Sequence, residues 1–133
     1  MFCRNILEVK LYTHPFQRSA SRGLSVLPNR RRYDSRPKLY EDDQVVAFHD
    51  IGPQAPVHFL VIPKKHIATL NDLGEEDKAL AGHILYTAQR LANEQGCAEG
   101  FRVTMNCNPM GGQTVYHIHL HVLGQRQMQW PPG

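Results

Sequence analysis

From Leu39 onward, apolar residues fall into short runs separated by clusters of polar residues, glycine and proline. Residues 44–50 (QVVAFHD) are rich in Val and Phe and predict a strand. Residues 51–56 (IGPQAP) carry a glycine and two prolines and predict a loop. Residues 57–62 predict a second strand, closed by Pro63. Asn71 and Asp72 offer a helix start, with Glu75, Glu76 and Asp77 expected in the first turn, where the helix dipole favours negative charge. Leu80, Ile84, Ala88 and Leu91 recur at helical spacing, so one face of that helix packs on a core. Gly96 predicts where it ends, because glycine takes the left-handed conformation that closes a helix. Residues 101–107 predict a third strand, Gly111 and Gly112 a tight loop, and residues 115–123 a fourth strand. One helix among strands that suit antiparallel pairing, with no internal repeat, indicates an α+β domain.

Composition narrows the class. A chain of 133 residues fits one domain. Its 41% apolar content excludes a wholly disordered chain. The longest apolar stretch, around His58-Phe59-Leu60-Val61-Ile62, is strand-sized and well short of the roughly 18 residues of a membrane span. Cys3, Cys97 and Cys107 are odd in number and far apart, so a disulfide framework is not expected, and a reducing, cytoplasmic setting is.

Charge is unevenly placed. Residues 1–37 hold eight Lys/Arg against two acidic residues; residues 38–133 hold seven against ten. The mildly acidic body argues against a nucleic-acid face. The basic segment also carries Ser19, Ser21, Ser25, the run Arg30-Arg31-Arg32, and Pro15, Pro28 and Pro37. A disordered tail is the plain expectation. A mitochondrial transit peptide or a basic arm for nucleic acid or anionic lipid are the functional alternatives.

The candidate chemistry lies in the last strand, VYHIHLHVL. Alternation predicts Tyr116, Ile118, Leu120 and Val122 on one face and His117, His119 and His121 on the other, about 6.6 Å between neighbouring imidazoles. Strict alternation argues against incidental structural histidines. One functional reading is a metal site, with Asp50 or His58 completing the ligands. The other is catalysis, in which one imidazole attacks while its neighbours orient it and move protons. A side-chain pKa near 6.5 suits either role at neutral pH. The preceding segment, Asn106-Cys107-Asn108-Pro109-Met110-Gly111-Gly112-Gln113-Thr114, supplies amides, a hydroxyl and glycines that let backbone approach an anion, which favours phosphate chemistry over metal.

The run GGQTVYHIHLHVLG resembles the histidine triad (HIT) motif, His-φ-His-φ-His-φ-φ. EDDQVVAFHDIGPQAPVHFLVIPKKHI and the ending QRQMQWPPG are similar to the histidine triad nucleotide-binding branch of that family, and the resemblance spans residues 38–133. It implies a HIT-like fold, an antiparallel meander sheet with one long helix, the sheet extended across a homodimer. It implies a hydrolase that cleaves the P–N bond of purine nucleoside 5′-phosphoramidates (AMP or GMP conjugates, and acyl-AMP); no cofactor is expected, and no metal, because the chain as written lacks the Cys-x-x-Cys with which relatives can hold a structural zinc. His119 would be the nucleophile that forms a nucleotidyl-histidine, with His117, His121 and His58 placing charge and protons around it. Asn106, Gly112, Gln113 and Thr114 would lie on the phosphate side. Asp50 would take the ribose hydroxyls, Phe48 and Ile51 would flank the base, and Trp130 would approach the partner's pocket. Without the resemblance, Asp50 reads as a strand end, Phe48 and Ile51 as core and Trp130 as a packing anchor. His49 and His66 read as surface or loop histidines. The alternative function is a nucleotide-binding interaction module with incidental turnover.

The amino-terminal segment departs from the family, whose first helix and strand precede the YEDD turn at Tyr40. Codons back-translated from residues 23–36 and read one base out of register give Asp-Cys-Leu-Phe-Cys-Gln-Ile-Val-Ala-Gly-Thr-Ile-Pro, the missing family segment. The expectation is a frame-shifted translation up to about residue 36, a missing or altered first helix, and lowered stability.

Overall fold

The computed structural model describes residues 37–133. The expectations for the basic amino-terminal segment and the altered first helix lie outside them. Strands β1 (Tyr40–Glu41), β2 (Val45–His49) and β3 (Val57–Pro63) form an antiparallel meander. Helix α1 (Lys78–Glu94) then carries the chain across the sheet to its far edge, where β4 (Phe101–Thr104) runs. Strand β5 (Leu120–Gly124) returns between β3 and β4, giving a five-stranded antiparallel sheet in the order β1-β2-β3-β5-β4. The α+β architecture with one long helix is the one expected. No helix among the described residues is long and apolar enough to cross a membrane.

The β1–β2 turn is tied by one side chain. Asp42 Oδ1 accepts the backbone N–H groups of Gln44 (2.7 Å) and Val45 (2.8 Å). Its other oxygen accepts from Tyr40 Oη (3.0 Å) and His83 Nε2 (2.6 Å), so the turn is fastened to α1.

Register assigns the two faces of the sheet. Val45, Ala47, Phe59, Val61, Leu120 and Val122 lie toward α1 and pack with Leu80, Ile84, Ala88 and Leu91. Val46, Phe48, Leu60 and Ile62 form a second cluster with Val115 on the opposite face. Central strand β3 is therefore buried on both sides along its whole length, which is why VHFLVIP reads as a run and not as an alternation. Phe48, Leu60 and His121 share one cross-strand row on the second face, and His58 shares that face. The histidines of interest thus emerge from a sheet floor fixed by apolar packing on its reverse side.

Helix α1 begins later than the sequence predicts. Residues 70–72 and 75–77 form two single 3₁₀ turns, the first closed by Thr69 and Asp72, and the α-helix starts at Lys78. Asp77 accepts Gly74 N–H (3.0 Å) and Lys65 Nζ (2.5 Å), so the acidic cluster fastens the approach to the helix. The carboxy-terminal end is as expected. Gly96 takes φ +83, its N–H bonds Asn93 O, and Cys97 N–H bonds Ala92 O, satisfying carbonyls that the helix end leaves open.

The predicted last strand needs correction. Residues 115–119 are not in the sheet; β5 starts at Leu120. The β3–β5 ladder stops at Val61–Leu120, because β3 ends in Pro63, which has no N–H to donate. Ile118 N–H bonds Ile67 O instead (2.8 Å). Strand β4 likewise ends at Thr104, three residues short of the predicted end.

Gly124 ends β5 against the turn that follows α1. A Cβ there would collide with Cys97 Sγ and sit 3.0 Å from Cys97 Cβ. Gly124→Ala is expected to lower the unfolding free energy by about 1–3 kcal/mol, with Cys97→Ala recovering part of the loss. Urea titration of the three variants measures both.

Asp42 provides a pH test. Burial opposes its charge, but Val45, Gln44, His83 and Tyr40 together hold its carboxyl at about 2, below the ordinary 3.8. A depressed folded value stabilises the fold above the unfolded value and ceases to do so as pH falls through the folded one. The stability advantage of the native chain over Asp42→Asn should therefore be full above pH 4 and vanish toward pH 2, as read by thermal melts across that range.

Candidate functional site

A neutral imidazole carries one proton and one lone pair, so each partner that can only accept or only donate fixes which nitrogen holds which. Gln54 N–H, a donor only, bonds His58 Nδ1 (3.1 Å). The His58 proton therefore sits on Nε2, which lies 2.9 Å from His121 Nδ1 and donates to it. That leaves the His121 proton on Nε2. His119 Nδ1 donates to the carbonyl oxygen of His117 (2.8 Å), so His119 Nε2 bears a lone pair. The rings of His119 and His121 stand 5.0 Å apart, edge to face. A bare nitrogen and an N–H are thus presented side by side.

Of the three triad histidines, the structure brings His119 and His121 together, with His58 behind them. His117 lies apart. It is fully buried, its Nε2 donates to Pro63 O (2.8 Å), and its Nδ1 faces His66 Nδ1 (2.8 Å), whose proton lies between them. The expectation that three imidazoles line one strand face fails for the reason already given: residues 117 and 119 precede the strand. His117 orients His119 through its carbonyl. His66, expected as a plain loop residue, is the ring partner of His117; they are 51 positions apart, and no local pattern marks the pair.

Burial shapes the titration of this group. It pushes His119 below the ordinary 6.5, against the His117 carbonyl and Asp50, which favour a proton there. Burial, helped by His119 and His58, pushes His121 down to about 4. His58 is lowered first by burial, with Asp50 opposing and Arg126 assisting. All three rings are therefore neutral at pH 7, which the tautomers require.

Asp50 follows β2 and is buried. Its Oδ1 accepts Gly52 N–H (2.8 Å), while Oδ2 is 3.5 Å from His58 Nε2 and has no hydrogen-bond donor among the described residues. A buried carboxylate oxygen without a donor is costly, and the site can satisfy it with a hydroxyl. Ligand atoms of Asp50, His58 and His121 all lie within 4.8 Å of one another, close enough for a metal. However, His58 Nε2 already carries its proton. Ligation there would force a proton onto Nδ1, against Gln54 N–H, so the folded arrangement suits a hydrogen-bond relay better than a cation.

The other predicted residues are placed as follows. Phe48 is buried in the row with Leu60 and His121, while Ile51, beside Asp50, is 68% exposed. The 106–114 loop curls through a 3₁₀ turn at Pro109–Gly111, with Asn108 at φ 61 and Gly112 at φ +80. The Asn106 side-chain amide sits beside Gly112, and Thr114 is exposed. Gln113, expected on the phosphate side, spends its amide inside the protein: Oε1 accepts Asn108 N–H (2.8 Å), and Nε2 donates to Ala68 O (2.7 Å) and Val115 O (3.1 Å). It braces the loop. Trp130 is 84% exposed at the end of a tail whose Gln129 carbonyl is held by Arg102 (2.7 Å).

Comparison with known proteins bears on the family and the fold. The HIT domain matches residues 32–128. An uncharacterised HIT-like protein of Synechococcus elongatus is 54% identical over 95 residues, which cover 71% of this chain and 83% of that protein. The adenylylsulfatase HINT1 of Arabidopsis thaliana is 50% identical over 97 residues, covering 71% of this chain and 66% of that protein. The crystal structure of a HIT family hydrolase from Legionella pneumophila superposes with a TM-score of 0.71 at 55% identity, over 72% of this chain and 87% of its own. With its triad segment, its sheet and these matches in agreement, the chain belongs to the HIT domain family.

Proposed function

We propose that the chain hydrolyses purine nucleoside 5′-phosphoramidates through a covalent nucleotidyl-His119 intermediate. The observation that carries this reading is the Nδ1–H bond of His119 to the His117 carbonyl, which leaves Nε2 as a buried lone pair beside an N–H donor. In the first half-reaction the His58–His121 pair, which takes up a proton from solvent together with the anionic substrate, gives the Nε2 proton of His121 to the departing nitrogen as His119 Nε2 bonds the α-phosphorus and the P–N bond breaks, so the pair returns to neutral. In the second, water bonds phosphorus, the bond to His119 breaks and returns its electron pair, and a proton of that water restores His121. The depressed basicity of His121 keeps it neutral between turnovers; an anionic phosphoryl group beside it opposes that depression during reaction. Asp50 Oδ2 takes a ribose hydroxyl, Phe48 and Ile51 border the base, and Asn106, Gly112 and Thr114 lie on the phosphate side. The relative named an adenylylsulfatase supports adenylyl transfer to water, with a different leaving group.

We further infer a homodimer. Among the described residues, strand β4 has one sheet neighbour and leaves Val103 exposed, an edge at which a second sheet can pair. Cys97 and Cys107 are free thiols, which suits a cytoplasmic setting.

His119→Ala separates the enzyme from a nucleotide-binding module. Release of AMP from adenosine 5′-phosphoramidate should fall by more than about 10³-fold in the variant while AMP binding by equilibrium dialysis stays within about threefold. A variant that keeps turnover contradicts the proposal. Chelator treatment should leave the native rate unchanged.

The pH profile gives an independent check. Attack needs neutral His119, and burial holds its proton affinity below the ordinary 6.5. The acid limb of kcat/KM should therefore have its midpoint below pH 6.5, and a midpoint at or above that value contradicts the assignment.

A further inference from the structure

The carboxy-terminal tail reaches the histidine relay through one side chain. Strand β5 ends at Gly124, paired with Val57 at the start of β3, and Gln125 turns the chain at φ 63. Arg126 then donates Nε–H to the carbonyl oxygen of Gln54 (2.9 Å). Gln54 lies in the breaker-rich loop between β2 and β3, and its own N–H is the donor to His58 Nδ1 (3.1 Å). The loop's other side-chain bonds, Gly52 N–H to Asp50 and Gln54 Nε2 to Gly52 O, stay within the loop. Pro53, before Gln54, has no N–H to add. Among the described residues, Arg126 is thus the side chain from outside β2 and β3 that hydrogen-bonds this loop.

The chain of contacts is continuous: Arg126 to Gln54, Gln54 to His58, His58 to His121. We propose that Arg126 is a positioning residue, which through the Gln54 carbonyl holds the backbone of that residue so that its N–H keeps the His58 proton on Nε2 and facing His121. Arg126 need not touch substrate for this. Without it the loop can withdraw Gln54 N–H, His58 can place its proton on either nitrogen, and His121 Nδ1 loses its fixed donor. The charged and titratable groups around His58 are Asp50, His121 and Arg126 itself. The guanidinium disfavours a second proton on His58, which reinforces the single-proton state that the relay needs. The kinetic consequence rests on the phosphoramidase reading; the tautomeric one does not.

The test uses the full chain labelled with ¹⁵N at histidine, as native protein, Arg126→Ala and Arg126→Lys. Two-bond ¹H–¹⁵N correlations report which ring nitrogen carries each proton. Native His58 is expected as the Nε2–H form alone. Arg126→Ala should give a mixture of both forms and a roughly tenfold lower kcat, a fraction of the roughly 10²–10⁴-fold that positioned proton transfer supplies, with KM within about twofold. Arg126→Lys, which keeps the charge but not the planar donor, should lie between them. A purely structural tail anchor would shift the melting temperature and leave the His58 nitrogens alone. An unchanged tautomer in Arg126→Ala overturns the proposal, whether or not kcat falls. Scrambled tautomers in a protein whose native form never hydrolyses phosphoramidates would uphold Arg126 and sink the phosphoramidase reading.

Discussion

The site depends on a single-proton rule: each buried imidazole holds one proton, and its partners choose the nitrogen. Two backbone groups, the His117 carbonyl and the Gln54 amide, set the pattern for His119, His58 and His121. The carbonyl draws the His119 proton to Nδ1 and leaves Nε2 with a lone pair. The amide denies His58 a proton on Nδ1, and that choice passes through His58 to His121. Backbone groups suit this work because they do not titrate and have no rotamers of their own; the Gln54 amide moves only with its loop. Burial then keeps a second proton off each ring.

The fold exists in a form that makes those two backbone groups converge. Central strand β3 is packed on both faces, so its position is fixed by the apolar clusters on either side. It delivers His58 at its start and Pro63 at its end. Pro63 stops the ladder, which frees residues 115–119 from sheet geometry. Its carbonyl takes the His117 ring in place of a strand partner. The triad segment is therefore part strand and part brace: His121 is presented by β5, His119 by an irregular segment just ahead of it, and His117 anchors that segment.

Much of this was legible in the chain, and the failures share a cause. Residues 45–49, 57–63 and 78–94 declare themselves by local apolar pattern, and Gly96 marks its helix end through a conformation that glycine favours. The candidacy of His119 and His121 follows from their spacing and from the segment before them. The spacing could not say that His117 turns away, because alternation assumes a strand and the strand stops at a proline 54 residues earlier in the chain. Gln113 reads as a phosphate ligand by position, yet its partners at Ala68 and Asn108 claim it first. The partnerships of His66 with His117 and of Arg126 with Gln54 join distant residues whose types carry no mark of each other. Local pattern records what a segment becomes; it does not record which segments then meet.

The most direct test of the account is to catch the intermediate. Native protein mixed with adenosine 5′-phosphoramidate, quenched within one turnover and digested under conditions that preserve N–P bonds, should yield an adenylylated peptide. Fragmentation should place the nucleotide on His119. An adduct on His117, His121 or His58, or turnover that proceeds with no protein-bound nucleotide at any time point, would contradict it.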